Sequence, residues 1–307
     1  MSALSEALQE YLQLRRALGF KLEREGLLLP QFLSFLEQQG AARITSSLAM
    51  RWAMTPSTAS PRWWAVRLGW VRGFAKYVAA HDPCNEVPSH ELLPMRPSRR
   101  LVPFVYSDAD VVALMRAADS FDGLKRATYA TLFGLLAATG IRVGEAISLD
   151  RDDIKWQAQL LVIRSGKFGK SRELVLHPTT INALRAYVRL RDRALPHPRS
   201  QALLLSLAGT RLLYKNVHRG FSRLLPHAAF TQGLSRTPRL HDLRHAFAIK
   251  TLVRWYQEGL NVEARLPLLS TYLGHVNPSQ TYWYLTATPE LMRLAERRAR
   301  NTLRRRP

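Results

Sequence analysis

The chain has 307 residues, 47% of them hydrophobic and 22% charged, which is enough to bury two cores rather than one. Lys and Arg number 45 against 23 Asp and Glu, and the resulting formal charge of +22 attracts a polyanion, nucleic acid foremost. A single cysteine, Cys84, excludes an internal disulfide framework and a cysteine-cluster zinc site, and no apolar run reaches the length of a membrane span. The first residues, MSALSEALQEYLQLRRALGF, lack the charged-then-apolar pattern of an export signal, so a cytoplasmic protein with no membrane association is expected. The charge is uneven. Residues 1–100 hold 13 basic and 8 acidic side chains, and residues 101–307 hold 32 and 15, so the second part carries most of the field.

From Ser2 to about Ala80, apolar residues recur at helical spacing, with breaks at EREG (23–26), at Gly40 and at TPSTASP (55–61). About four short helices are expected. The last runs from Pro61 to about Val78 and sets Trp63, Val66, Trp70, Phe74 and Tyr77 on one stripe, with Arg72 and Lys76 emerging on the opposite side. Five prolines between His81 and Ser107 disfavour a continuous helix or central strand, so residues 83–106 are read as a linker between a domain of residues 1–82 and one of residues 107–307. SDAD (107–110) has the form of a helix cap with an acid three residues on, and opens a helix to about Ala118.

In the second domain, ATYATLFGLLAATG (127–140) predicts an apolar helix that stops at Gly140, followed by a short helix over 143–148. LLVIRSGKFGKSRELVLH (160–177) predicts a β-hairpin with a glycine-containing turn. The remainder reads as mostly helical. The Arg-rich tail RLAERRARNTLRRRP predicts either a docking helix or a frayed basic end.

Several residues in this domain have the chemistry to act on an anion. Arg142, in TGIRVGE, stands at a helix beginning, where backbone N–H groups favour anions and a guanidinium adds a fork of donors; Glu145, three residues on, can brace it. Lys167 sits at the tip of the predicted hairpin, with Lys170 as its rival; the surrounding SGKFGKS lacks the first glycine of a nucleotide phosphate loop. His241 and His245, in HDLRH, have the spacing of a zinc pair, but the accompanying glutamate and a third ligand are missing, so no metal is expected. His241 and Arg244 share a helical face and can address one anion. In LGHVNPSQTYWYL (273–285), His275 precedes Tyr282 and Tyr284. If Ser279 caps a helix, the two phenols lie about 200° apart, so only one can enter a given site. Thr281 shares the face of Tyr284, and Tyr282 is expected to point into packing.

In this order, Arg142, Lys167, His241, Arg244, His275 and a tyrosine nine residues further on, the second domain resembles the tyrosine recombinases, the Xer-like phage integrase family. That resemblance implies a mainly α fold with a small β-sheet: an N-terminal helical core-binding (SAM-like) domain plus an α+β catalytic domain. It selects Tyr284 as the nucleophile and implies transesterification on DNA through a 3′-phosphotyrosine, with no ATP, metal or other cofactor, because the bond energy is kept in the covalent link.

The family roles, carried onto matching positions, place Arg142 and Arg244 on the non-bridging oxygens, with His241 and His275 as further donors. His241 also becomes the base for the phenol, Lys167 the acid for the leaving 5′-oxygen, and Glu145 a supporting residue. The implied partners are double-stranded recombination sites, a homotetramer on two of them, and room for companion recombinases. YWYLTATPELM leans toward integrases of mobile elements, and no additional arm-binding domain is expected. The competing readings are a type IB topoisomerase-like enzyme and a non-catalytic DNA-binding accessory protein.

Overall fold

The structure, a computed structural model, describes residues 2–93, 102–164, 171–231, 234, 236–275, 277 and 279–303. The chain divides into two compact units, residues 1–100 and 101–307.

Among its described residues, the first unit holds four helices: α1 (Ala3–Ala17), α2 (Glu23–Gln38), α3 (Ser46–Met54) and α4 (Pro61–Ala79). The EREG stretch, expected to break a helix, forms the first turn of α2. Glu23 and Glu25 lie there at the positive end of the helix dipole, and the break comes earlier, with Gly19 and Leu22 at positive φ. Thr45 and Ser60 cap α3 and α4 by accepting from Leu48 and Trp63 backbone N–H groups.

The core stripe of α4 is rotated from the expected one. Leu68, Val71, Phe74, Ala75 and Val78 are buried, whereas Trp63, Val66, Trp70 and Tyr77 are only partly so. Arg72, expected on the surface, is buried as well. Its guanidinium donates to the carbonyls of Pro88 (2.6 Å) and Ser89 (2.8 Å), which closes the segment after α4 onto the same unit. Asn85 and Glu86 in that segment accept from the backbone of Ile44 and Ser46. The apolar period identified the correct helix but not its rotation, because a buried arginine with carbonyl partners counts as polar in any sequence pattern.

The second unit begins with α5 (Asp108–Ala117), where the expected cap is complete. Ser107 Oγ accepts from the Asp110 N–H, and the Asp110 carboxylate accepts from the Ser107 N–H. Next come α6 (Gly123–Thr139) and α7 (Val143–Ser148), then an antiparallel sheet of β1 (Ile154–Lys155), β2 (Leu160–Ile163) and β3 (Arg172–Val175) in the order β1-β2-β3. Leu160 pairs with Val175 and Ile163 with Arg172, so the two strands of the expected hairpin are antiparallel neighbours.

Further helices are α8 (Pro178–Ala194), α9 (Tyr214–Leu224), α10 (Leu240–Gln257), α11 (Val262–Leu273) and the single turn α12 (Ser279–Tyr282). A 3₁₀ turn, Trp283–Thr286, leads to α13 (Pro289–Leu303). Among the described residues the protein is therefore mainly helical with one small sheet. One core joins α5 to α10 and the sheet around Phe133, Leu132, Leu161 and Phe221. A second gathers the rear of α10, α11, Tyr284 and Leu291 of α13, so the C-terminal helix packs on its own chain.

Candidate active site

Two helix C-terminal ends meet at the site, and their backbone carbonyls organise it. The chain leaves α6 at Gly140, in the left-handed conformation (φ +62°), and leaves α11 at Gly274 (φ +66°). Helix C-termini expose unpaired carbonyls carrying partial negative charge, which suits a cation. Arg244 of α10, only 2% exposed, donates to the Gly140 carbonyl (2.8 Å) and to the Leu273 carbonyl (2.6 Å). Arg142, just before α7, donates to the Gly274 carbonyl at 2.9 Å. Both guanidinium groups are thus held at the glycine-capped end of α11, and Arg244 also at that of α6. Burial, and then the neighbouring charge of Arg142, lower the Arg244 pKa to about 10, at which it remains charged at neutral pH.

Glu145 answers that charge. Its side chain is 8% exposed and takes hydrogen bonds from the Arg142 N–H (2.9 Å), the Arg142 guanidinium (2.8 Å) and both terminal nitrogens of Arg172 (2.8 and 3.1 Å). Burial alone would raise the carboxyl pKa, but the hydrogen bonds and charge of Arg172 and Arg142 outweigh it and hold Glu145 at about 2. Arg172, at the start of β3, also donates to the Tyr272 carbonyl (2.8 Å). It therefore ties the strand to α7 and to the end of α11. Nothing in the sequence sets Arg172 apart from other strand residues. Its place next to the hairpin turn was visible, but its partners lie 27 and 100 residues away.

The N-terminus of α10 is set by Asp242, fully buried, which accepts from the Arg239 N–H and guanidinium (both 2.9 Å). From that turn project His241, Arg244 and His245. The His241 and His245 rings meet edge to face, with centroids 4.6 Å apart. His241 keeps an exposed edge, yet desolvation by its surroundings and the charge of Arg244 lower its pKa to about 4. His275, beyond Gly274, engages Thr281 Oγ1 through Nδ1 (2.7 Å), and burial followed by Arg244 and Arg142 lowers it to about 3.

The two tyrosines are now distinguished by burial. Tyr284 is 2% exposed and Tyr282 is 53% exposed, so Tyr282 faces solvent rather than the packing expected for it. The Tyr284 ring stacks on His275, with centroids 6.2 Å apart and planes 19° apart, and its hydroxyl lies 3.0 Å from His245 Nδ1. Thr281 is buried on the same side, as the shared face required. Of the residues singled out in the sequence, the structure therefore gathers Arg142, Glu145, His241, Arg244, His275 and Tyr284. Lys167 and its rival Lys170 lie outside the described residues. The sequence marks His245 only as half of a metal-like pair with His241, four residues apart, and its contact with the tyrosine is not legible there.

Two fixed guanidinium groups beside a histidine-lined phenol make a site suited to an anionic ester and a tyrosine nucleophile. Residues 105–290 match the model of the phage integrase family, and the chain belongs to that family of tyrosine recombinases. It is 45% identical over 306 residues to the protein named integrase/recombinase y4rB in Sinorhizobium fredii, covering 97% of each chain. Among solved structures, it resembles the Tn1549 transposon integrase in complex with transposon right end DNA, with TM-score 0.64, 17% identity and coverage of 97% and 98% of the two chains. It also resembles a lambda integrase tetramer bound to a Holliday junction, with TM-score 0.54, 17% identity and coverage of 92% and 76%. At these identities the structural likeness shows the fold. Among the described residues, no helix is long and apolar enough to cross a membrane.

Proposed function

We propose that this member of the tyrosine recombinase family cuts and rejoins double-stranded DNA at specific sites through a phosphotyrosine on Tyr284, in the service of a mobile element. The observation that carries this reading is the placement of Tyr284 beside His275 and His245, in the same site as two arginines anchored on helix-end carbonyls. Arg142 and Arg244 stabilise the charge that builds on the non-bridging oxygens of the attacked phosphodiester. Because their positions are set before the substrate arrives, little reorganisation is left for the transition state. His241 and His275 donate further hydrogen bonds to the same oxygens, and Lys167 protonates the leaving 5′-oxygen. Glu145 supports Arg142 without touching the substrate.

The 5′-hydroxyl released by the first cut attacks the phosphotyrosine of a partner strand, so no ATP is consumed. A homotetramer on two sites in the cytoplasm, associated with the nucleoid when bound, is the assembly this exchange requires; the lambda integrase tetramer on a Holliday junction supports it. The net charge of +22 supplies the attraction for DNA. The likeness to a transposon integrase on transposon-end DNA supports the mobile-element role.

The test uses nicked duplex substrates with wild-type, Tyr284→Phe and Tyr282→Phe protein in EDTA. An SDS-resistant protein–DNA adduct lost only in Tyr284→Phe is expected. An adduct that survives Tyr284→Phe refutes the assignment of the nucleophile.

A further inference from the structure

His241 is the base that resemblance to the family assigns to the phenol. The structure places a different histidine against the reacting atom. His245 Nδ1 lies 3.0 Å from the Tyr284 hydroxyl, within hydrogen-bond distance. His275 meets the face of the tyrosine ring rather than its hydroxyl, and its own Nδ1 is engaged by Thr281. His241 reaches this arrangement through an edge contact on the His245 ring. We propose that His245 is a catalytic residue of this site, orienting the Tyr284 phenol and receiving its proton as the phenol attacks. This rests on the recombinase reading above.

The chemistry balances without any further reactant. The phenol O–H bond breaks and its proton passes to Nδ1, on the tautomer that carries its hydrogen on Nε2. The Oη–P bond forms as the P–O5′ bond breaks, and the 5′-oxygen leaves with the electron pair and takes the proton assigned to Lys167. On rejoining, the imidazolium returns the proton to the departing phenol. Burial, and next the adjacent His241, hold the His245 pKa down to about 3, so the ring is neutral at pH 7 and its nitrogen is open to accept. The negative charge of a bound phosphodiester acts in the opposite sense and makes the ring a better base when substrate is present. Trp283, packed against His245 at 5.4 Å, and the buried ring of Tyr284 fix the imidazole in its orientation. A histidine four residues after His241 lies about 40° round the helix and one turn further along it, which lets one face of α10 serve both the phosphate and the nucleophile.

The experiment compares single-turnover adduct formation at saturating nicked DNA for wild-type, His245→Leu, His245→Asn and Tyr284→Phe protein. Two substrates are used, one natural and one with sulfur in place of the 5′-bridging oxygen at the scissile phosphate. We expect His245→Leu to cleave on the order of 10²-fold more slowly, as removal of a proton acceptor does. His245→Asn keeps a polar atom near the position of Nδ1 and should fall between; it also carries the test if the leucine variant does not fold. Sulfur leaves without a proton, so it relieves a defect on the leaving side only, and it should not restore the His245 variants.

Wild-type cleavage rates in both variants, with Tyr284→Phe inactive, would overturn the role of His245 and leave the recombinase reading standing. Full rescue by sulfur would also overturn it, by moving His245 to the leaving side. Absence of any tyrosine-dependent adduct from wild-type protein would overturn the recombinase reading itself.

Discussion

Replacing Glu145 by Gln removes one carboxylate from between two arginines, and the structure sets the size of the effect. The carboxyl pKa is held at about 2 in the fold against an ordinary value of 4.5. At 1.36 kcal/mol per unit, that difference corresponds to roughly 3 kcal/mol of stability. Because the folded-state pKa is depressed, the contribution is fully present above the unfolded value and is lost as pH falls toward about 2. Glu145→Gln should therefore be about 3 kcal/mol less stable than wild type at pH 7. The gap should shrink by about 1 kcal/mol by pH 3.5, where the unfolded chain already binds the proton and the folded chain does not. Hydrogen exchange read over α7 and β3 isolates the second unit from the first. A stability difference that stays constant from pH 7 to pH 3.5 would refute the charge argument and leave only shape or packing as the cause. A difference below about 1 kcal/mol at pH 7 would show that solvent screens the pair as on an open surface.

Gly140→Ala should destabilise the second unit by about 1–3 kcal/mol in thermal unfolding, since a Cβ there adopts φ +62° and lies 2.5 Å from the Phe247 ring. Arg172→Lys keeps the charge but loses the two-pronged contact with Glu145. Its single-turnover cleavage rate should fall about tenfold while DNA affinity, measured by fluorescence anisotropy, stays near wild type. Affinity for duplex DNA should drop by about 10³-fold or more between 50 and 200 mM salt if six or more phosphates are neutralised. A nearly flat salt titration would rule out an interface dominated by backbone phosphates.

Local chemistry in the chain was sufficient to specify most of the elements. The Ser107–Asp110 cap and the helix that ends at Gly140 follow from residues within a few positions of one another, so their signals survive without any tertiary context. The candidate site residues were legible for a related reason: arginine, histidine and tyrosine recur in an order that resembles a family. Apart from the Arg142–Glu145 pair, three residues apart, the contacts that give those residues a direction required the fold. Arg142 reaches a carbonyl 132 residues away and Arg244 one 104 residues away, and helix geometry relates only near neighbours in the chain. Spacing separated Tyr282 from Tyr284 but could not choose between them, and it sent Tyr282 to the wrong environment. Burial distinguishes them, because the second core forms around the face that carries Thr281 and Tyr284. Arg172 and His245 are not legible in the sequence because a strand arginine and a second helix histidine acquire meaning only from their partners. The sequence by itself thus determined which chemical groups the protein carries and which local elements hold them. The tertiary structure decided which of them share a carboxylate, which sit on a helix end and which nitrogen faces the phenol, since those are distances between parts of the chain that meet only on folding.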